Sequence, residues 1–111
     1  MPSLNRFPAT AAADEVVDAL RGDGAVIVER LFPERVIAAI NREVNSRIAA
    51  AHPGMQHLNP AIQVFFGDRV KHVSGLAAVS RTFTTEVMIH PLYLAVCDAI
   101  LRPSCARYQL K

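Results

Sequence analysis

The sequence predicts an α+β fold, helices interleaved with short strands in a single domain over residues 1–111. Three observations predict it. Val36, Ile37, Ile40, Val44 and Ile48 recur at helical spacing behind Pro33. Ala25-Val26-Ile27-Val28 is an unbroken apolar run, mostly β-branched and bounded by turn signals, which reads as a buried strand. The last residues, Ser104 to Lys111, read as the opening of another strand, with no partner strand after it.

A chain of 111 residues makes one domain at most, near the size where burial only just outweighs chain entropy. Half of it is hydrophobic (51%) and a fifth charged (20%), a composition that folds or docks and shows no tendency to disorder. The net charge of +2 is small, and Lys and Arg are scattered among Asp and Glu, so nucleic acid is not an expected partner. Cys97 and Cys105 make neither a disulfide framework nor a Cys-x-x-Cys pair, which points to a reducing, cytoplasmic location. The first residues lack the apolar run of a signal peptide. No stretch approaches the roughly 20 apolar residues that span a bilayer, so no membrane partner is expected.

The elements follow in order. Residues 1–9 form a lead-in loop, and Thr10 caps a helix over Ala11–Arg21 with Val16, Val17 and Leu20 on one face. Asp14 and Glu15 suit its first turns, and Gly22 lies just past its end. Gly22-Asp23-Gly24 turns the chain into the strand Ala25–Val28. Pro33 then opens a second helix reaching about Ala51, because its missing N–H has no intrahelical partner there anyway. His52-Pro53-Gly54 breaks that helix, and a polar surface loop runs through Asn59-Pro60. Ile62–Phe66 alternates weakly and is strand or loop; Arg69–Val73 alternates better and is a short strand. Leu76–Val79 makes a helical turn, and Ser80 or Thr82 caps a helix through about Ile89. Pro91 starts the last helix, apolar on most sides (Leu92, Leu94, Ala95, Val96, Ala99, Ile100, Leu101), which is expected to be heavily buried and to end at Pro103.

Candidate chemistry is sparse. None of the four histidines begins a His-x-Asp or His-x-Glu pair. His52 and His57 are separated by Pro53 and Gly54, which destroys the one-face helical geometry of a chelating pair and favours a surface loop. His90, ahead of Pro91, reads as structural, capping carbonyls or half-buried. His72 follows Lys71 on the expected strand and either points a cation into a cleft or is a solvated strand residue. Cys97 sits in an apolar helix and reads as a small core residue, since a reactive thiol needs a cation or a helix N-terminus beside it. No Gly-x-Ser-x-Gly elbow or phosphate loop is present, and the residues by themselves assign no catalytic residue and no metal ligand.

Three ordered segments carry a resemblance. They are Ala19 to Pro33, with Asp-Gly before the hydrophobic strand and Phe-Pro after it; Phe66-Gly-Asp-Arg-Val-Lys-His-Val-Ser-Gly-Leu; and His90-Pro through Arg102-Pro-Ser with the strand that follows. As an ordered set covering nearly the whole chain, they resemble the front of the phytanoyl-CoA dioxygenase family. The resemblance implies the N-terminal helical and short-strand part of a double-stranded β-helix (jelly-roll) oxygenase, with the barrel largely missing. It further implies iron(II) and 2-oxoglutarate as cofactors of the full-length family, a small-molecule substrate, and iron held by a His-x-Asp pair and a distant His.

In that family the His-x-Asp pair comes after the strand matched by Tyr108-Gln109-Leu110, where this sequence ends, so no metal ligand is carried over. The chain alone is therefore expected to bind neither cofactor and not to catalyse. Lys71, His72 and Gln109 match positions near the co-substrate in relatives and are the candidate cofactor-binding residues. Which of Lys71 and His72 faces inward depends on strand register. The alternative is a stand-alone helical binding or assembly module, self-associating through an exposed strand edge.

Overall fold

The computed structural model describes residues 3–54 and 56–109. Its elements run β1 (Arg6–Pro8), α1 (Ala13–Asp23), β2 (Ile27–Glu29), α2 (Glu34–Ala50), α3 (Pro60–Phe66), α4 (Leu76–Val79), a π-helical turn (Phe83–Val87) and α5 (Pro91–Leu101). α1 packs along α5, while α2 packs on α4 and the π-helical turn. Among the described residues, Val16 and Val17 of α1 and Val36 and Val44 of α2 are the buried apolar ones, and Ser80 is the buried polar one.

The two long helices form where apolar spacing places them, but the ends of the first differ. Thr10 is not its cap: it lies in a turn, and Ala12 opens the helix with no side-chain cap. Gly22 is inside the helix and Gly24 ends it, at φ 77°, its N–H donating to the Leu20 carbonyl at 2.9 Å. A left-handed closing residue costs glycine least, so the later glycine is used.

The lead-in is not wholly loop. Arg6–Pro8 pairs in parallel with Ile27–Glu29, Phe7 opposite Val28, so the strand expected at Ala25–Val28 is shifted and half-buried. Pro8 has no N–H for a ladder, which suits the edge of a two-stranded sheet. An exposed Arg6–Glu29 ion pair at 2.8 Å closes the register and contributes at most about 1 kcal/mol.

Residues 62–66 are neither strand nor loop. They continue α3, because Pro60 takes the first helical position and the Asn59 side-chain oxygen accepts the Ala61 N–H at 2.9 Å. Residues 69–73 do not form the expected strand. Lys71 makes only an isolated antiparallel bridge with Pro53, beside a Gly54 N–H to Val70 carbonyl bond of 2.8 Å. The chains meet tightly there, for a Cβ on Gly54 would sit 3.0 Å from the Gly67 carbonyl oxygen.

α5 is not heavily buried, since none of its residues is fully covered and Tyr93, Leu94 and Leu101 are exposed. Among the described residues α1 is the helix that packs along it, and one packed helix covers one stripe. Nor does the chain become a strand after Ser104. Tyr108 and Gln109 pair with no strand among the described residues, and Leu110 and Lys111 lie outside them.

Candidate functional site

The sequence candidates fall in two places. Lys71 and His72 follow α3 and lie at the C-terminal end of α2. The Lys71 ammonium donates to the Ile48 carbonyl at 2.9 Å, which also accepts the Ala51 N–H at 3.3 Å in the last turn of α2, and its positive charge suits the negative end of the helix dipole. His72 also lies near the end of α2. Its ring meets Phe66 edge-on, centroids 5.9 Å apart, and lines a crevice of about 250 Å3 with Arg47, Ala50, Ala51, Val73 and Ser74.

Gln109 lines a different crevice, of about 210 Å3, shared with Met88, Tyr93, Leu94, Cys97, Leu101 and Tyr108. Its walls are mainly apolar, with the Tyr93 and Tyr108 hydroxyls, the Cys97 thiol and the Gln109 amide as its polar groups. The adjacent Cys97 and burial push the Tyr93 phenol up. Tyr108 donates to Asp98 Oδ1 at 2.7 Å, and this hydrogen bond, with burial and the Asp98 charge, pushes its phenol up to about 12. The crevice lined by Gln109 includes neither Lys71 nor His72.

The other histidines are occupied locally. His90 opens α5, its Nδ1 accepting the Leu92 N–H at 3.3 Å and its ring edge-on to Phe32, so it caps amides and not carbonyls. His57 Nδ1 accepts the Asn59 N–H at 3.0 Å, and His52 is exposed. Among the described residues no three His, Cys, Asp or Glu side chains converge as a metal site. No helix among them is long and apolar enough to cross a membrane.

A carboxylate junction positions the arm that carries Met88 and α5. Glu43 on α2 accepts hydrogen bonds from the Ser80 hydroxyl, from the Thr82 hydroxyl at 2.7 Å and from the Thr82 N–H at 3.1 Å. Ser80 Oγ in turn accepts the Phe83 N–H at 3.0 Å, so Ser80 is the cap that starts this arm. The spacing of Ser80 and Phe83 marks the cap locally. Nothing local marks Glu43, which reaches the junction from another helix. Asp98 and Tyr108 are equally unmarked, because they meet only through the turn at 102–104.

No protein-family model matches the chain. Individual relatives do. The chain is 30% identical over 110 residues to dioxygenase olcK of Penicillium canescens, an alignment covering 99% of this chain and 36% of that protein. It is 35% identical over 101 residues to multifunctional dioxygenase ausE of Penicillium brasilianum, covering 89% of this chain and 31% of the relative. Multifunctional dioxygenase prhA of the same organism is 32% identical with the same coverage. The chain thus spans about a third of the length of the curated relatives it matches. Over nearly its whole length it is similar to one part of proteins named dioxygenases, an alignment that supports a dioxygenase family.

Proposed function

We propose that this chain is the N-terminal part of a phytanoyl-CoA dioxygenase-like oxygenase, which in the whole protein uses iron(II) and 2-oxoglutarate to hydroxylate a small organic substrate in the cytoplasm. The observation that carries this reading is the coverage: 99% of this chain aligns with 36% of a dioxygenase. The ordered segments around Asp23-Gly24, Lys71-His72 and His90-Pro91 support the finer family assignment.

The described His, Cys, Asp and Glu side chains assemble no ligand set, Lys71 is engaged by a helix terminus, and Gln109 lines a separate crevice. In this reading the 111 residues are therefore a scaffold that does not turn over alone. The exposed side of α5 is the face against which a jelly-roll barrel would pack.

The test is to supply the purified chain with iron(II), ascorbate and 2-oxoglutarate and to measure succinate. None above background is expected, and appreciable turnover overturns the inert-scaffold reading. The gene beyond codon 111 tests the family itself, for which an in-frame His-x-Asp is the expected outcome. A second reading, a non-catalytic assembly module, is favoured by the exposed Tyr93, Leu94 and Leu101 on α5 and Val64 and Phe65 on α3. A well-folded oligomer in size-exclusion chromatography supports that reading, and a monomer or an aggregate speaks against it.

A further inference from the structure

The chain leaves α5 through a turn in which the Ser104 N–H donates to the Leu101 carbonyl at 3.0 Å and the Cys105 N–H to the Arg102 carbonyl at 3.4 Å. Among the described residues, 106–109 take part in no backbone hydrogen bond and in one side-chain hydrogen bond, from the Tyr108 hydroxyl to Asp98 Oδ1 at 2.7 Å. A charged acceptor at that length makes a stronger bond than a neutral one.

Asp98 is well placed to hold it. Arg102 Nε lies 3.4 Å from the same carboxylate oxygen, one helical turn on. Arg21 of α1 donates to the neighbouring Ala99 carbonyl at 3.2 Å, which fixes this part of α5 against the packed helix α1. The acceptor is thus on the rigid side and the donor on the untied side.

Tyr108 and Gln109 also form one wall of the 210 Å3 crevice, opposite Tyr93, Leu94, Cys97 and Leu101 of α5. That wall stands only while the 106–109 segment lies against the helix. We propose that Asp98 and Tyr108 form a latch that holds this segment on α5, completes the crevice, covers Cys97 and brings Gln109 to the crevice rim. Asp98 acts here as a positioning residue, and the latch goes beyond the dioxygenase reading without depending on it.

Tyr108→Phe, Asp98→Ala and Asp98→Asn in the full chain test it by two readouts. The first is the rate of iodoacetamide alkylation at Cys97, resolved from Cys105 by mass spectrometry. Losing a hydrogen bond to a charged group should raise that rate about tenfold in Tyr108→Phe and Asp98→Ala. Asp98→Asn keeps an oxygen that accepts from the phenol and should stay near the wild-type rate.

The second readout is the titration of Tyr108 by its 13Cζ resonance, with the other tyrosine assigned through Tyr93→Phe. The groups facing the phenol are Asp98, Cys97 and Arg102, and the hydrogen bond to Asp98 raises it most, so Asp98→Ala should return the midpoint from about 12 toward the ordinary 10.0. An unchanged Cys97 rate in Tyr108→Phe overturns the latch. So does an Asp98→Asn chain as reactive as the Asp98→Ala chain, or a Tyr108 titration that Asp98→Ala leaves unmoved. Should Asp98→Ala fail to fold, Tyr108→Phe, which removes one oxygen atom, carries the test. Neither readout involves turnover, so the latch and the dioxygenase reading fail independently.

Discussion

Glu43 and Thr82 are joined twice: the Thr82 hydroxyl donates to one carboxylate oxygen at 2.7 Å and the Thr82 N–H to the other at 3.1 Å. With the Ser80 hydroxyl on the same carboxylate, this junction ties α2 to the start of the arm that ends in α5. It also satisfies Ser80, which is 0% exposed and would otherwise leave a polar group buried without a full set of partners.

Hydrogen bonds from Ser80 and Thr82 hold the Glu43 carboxyl below its usual 4.5. A carboxyl lowered in the folded state contributes stability that is complete above its unfolded value and is lost as pH falls through its folded value. Urea midpoints of the wild type should therefore drop on acidification below 4.5, and Glu43→Gln should drop less over that window. Parallel curves for the two proteins would refute the assignment.

Tyr108 gives the alkaline counterpart. Its phenol is raised in the folded state, so its contribution is complete below 10.0 and is lost as pH rises toward about 12. Thermal midpoints measured across that interval should fall more steeply for the wild type than for Tyr108→Phe.

Gly22 and Gly24 should respond to alanine with opposite signs. Gly22 lies inside α1 with nothing within 4 Å of an added Cβ, so Gly22→Ala should stabilise by roughly 0.5–1 kcal/mol. Gly24 also has open space but sits at φ 77°, so Gly24→Ala should destabilise by about 1 kcal/mol through backbone strain alone. Chemical denaturation of both variants checks where the helix ends; a stabilising Gly24→Ala would contradict the left-handed cap.

Val36 is 0% exposed on α2, where the helix meets its neighbours. Val36→Ala removes two methyl groups there and should cost about 2 kcal/mol by lost burial and an unfilled space. Ile37→Ala, one residue on and exposed, should cost less than about 0.5 kcal/mol, and equal losses would place the buried face of α2 elsewhere.

Much of this architecture is legible in local sequence. Helical spacing in Val36–Ile48 marks α2, Pro91 marks the start of α5, and the break at His52-Pro53-Gly54 falls where α2 ends. Ile62–Phe66 misleads because a short apolar run has no clear period. Its state is decided by the Asn59 cap and Pro60 just ahead of it. Of the candidate residues, His72 lines one crevice and Gln109 another, while Lys71 is tied to the Ile48 carbonyl, and chain order alone could not separate them.

The sequence by itself determined the three longer helices α1, α2 and α5, their approximate limits and the absence of a His-x-Asp pair, because apolar periodicity, proline, glycine and short motifs act over a few residues. Only the tertiary structure decided that Arg6–Pro8 pairs with Ile27–Glu29, that Glu43 reaches Ser80 and Thr82, and that Tyr108 closes on Asp98. Each of these joins groups ten to nearly forty positions apart. Such bonds depend on where packed helices and turns carry their donors and acceptors, which no local pattern encodes.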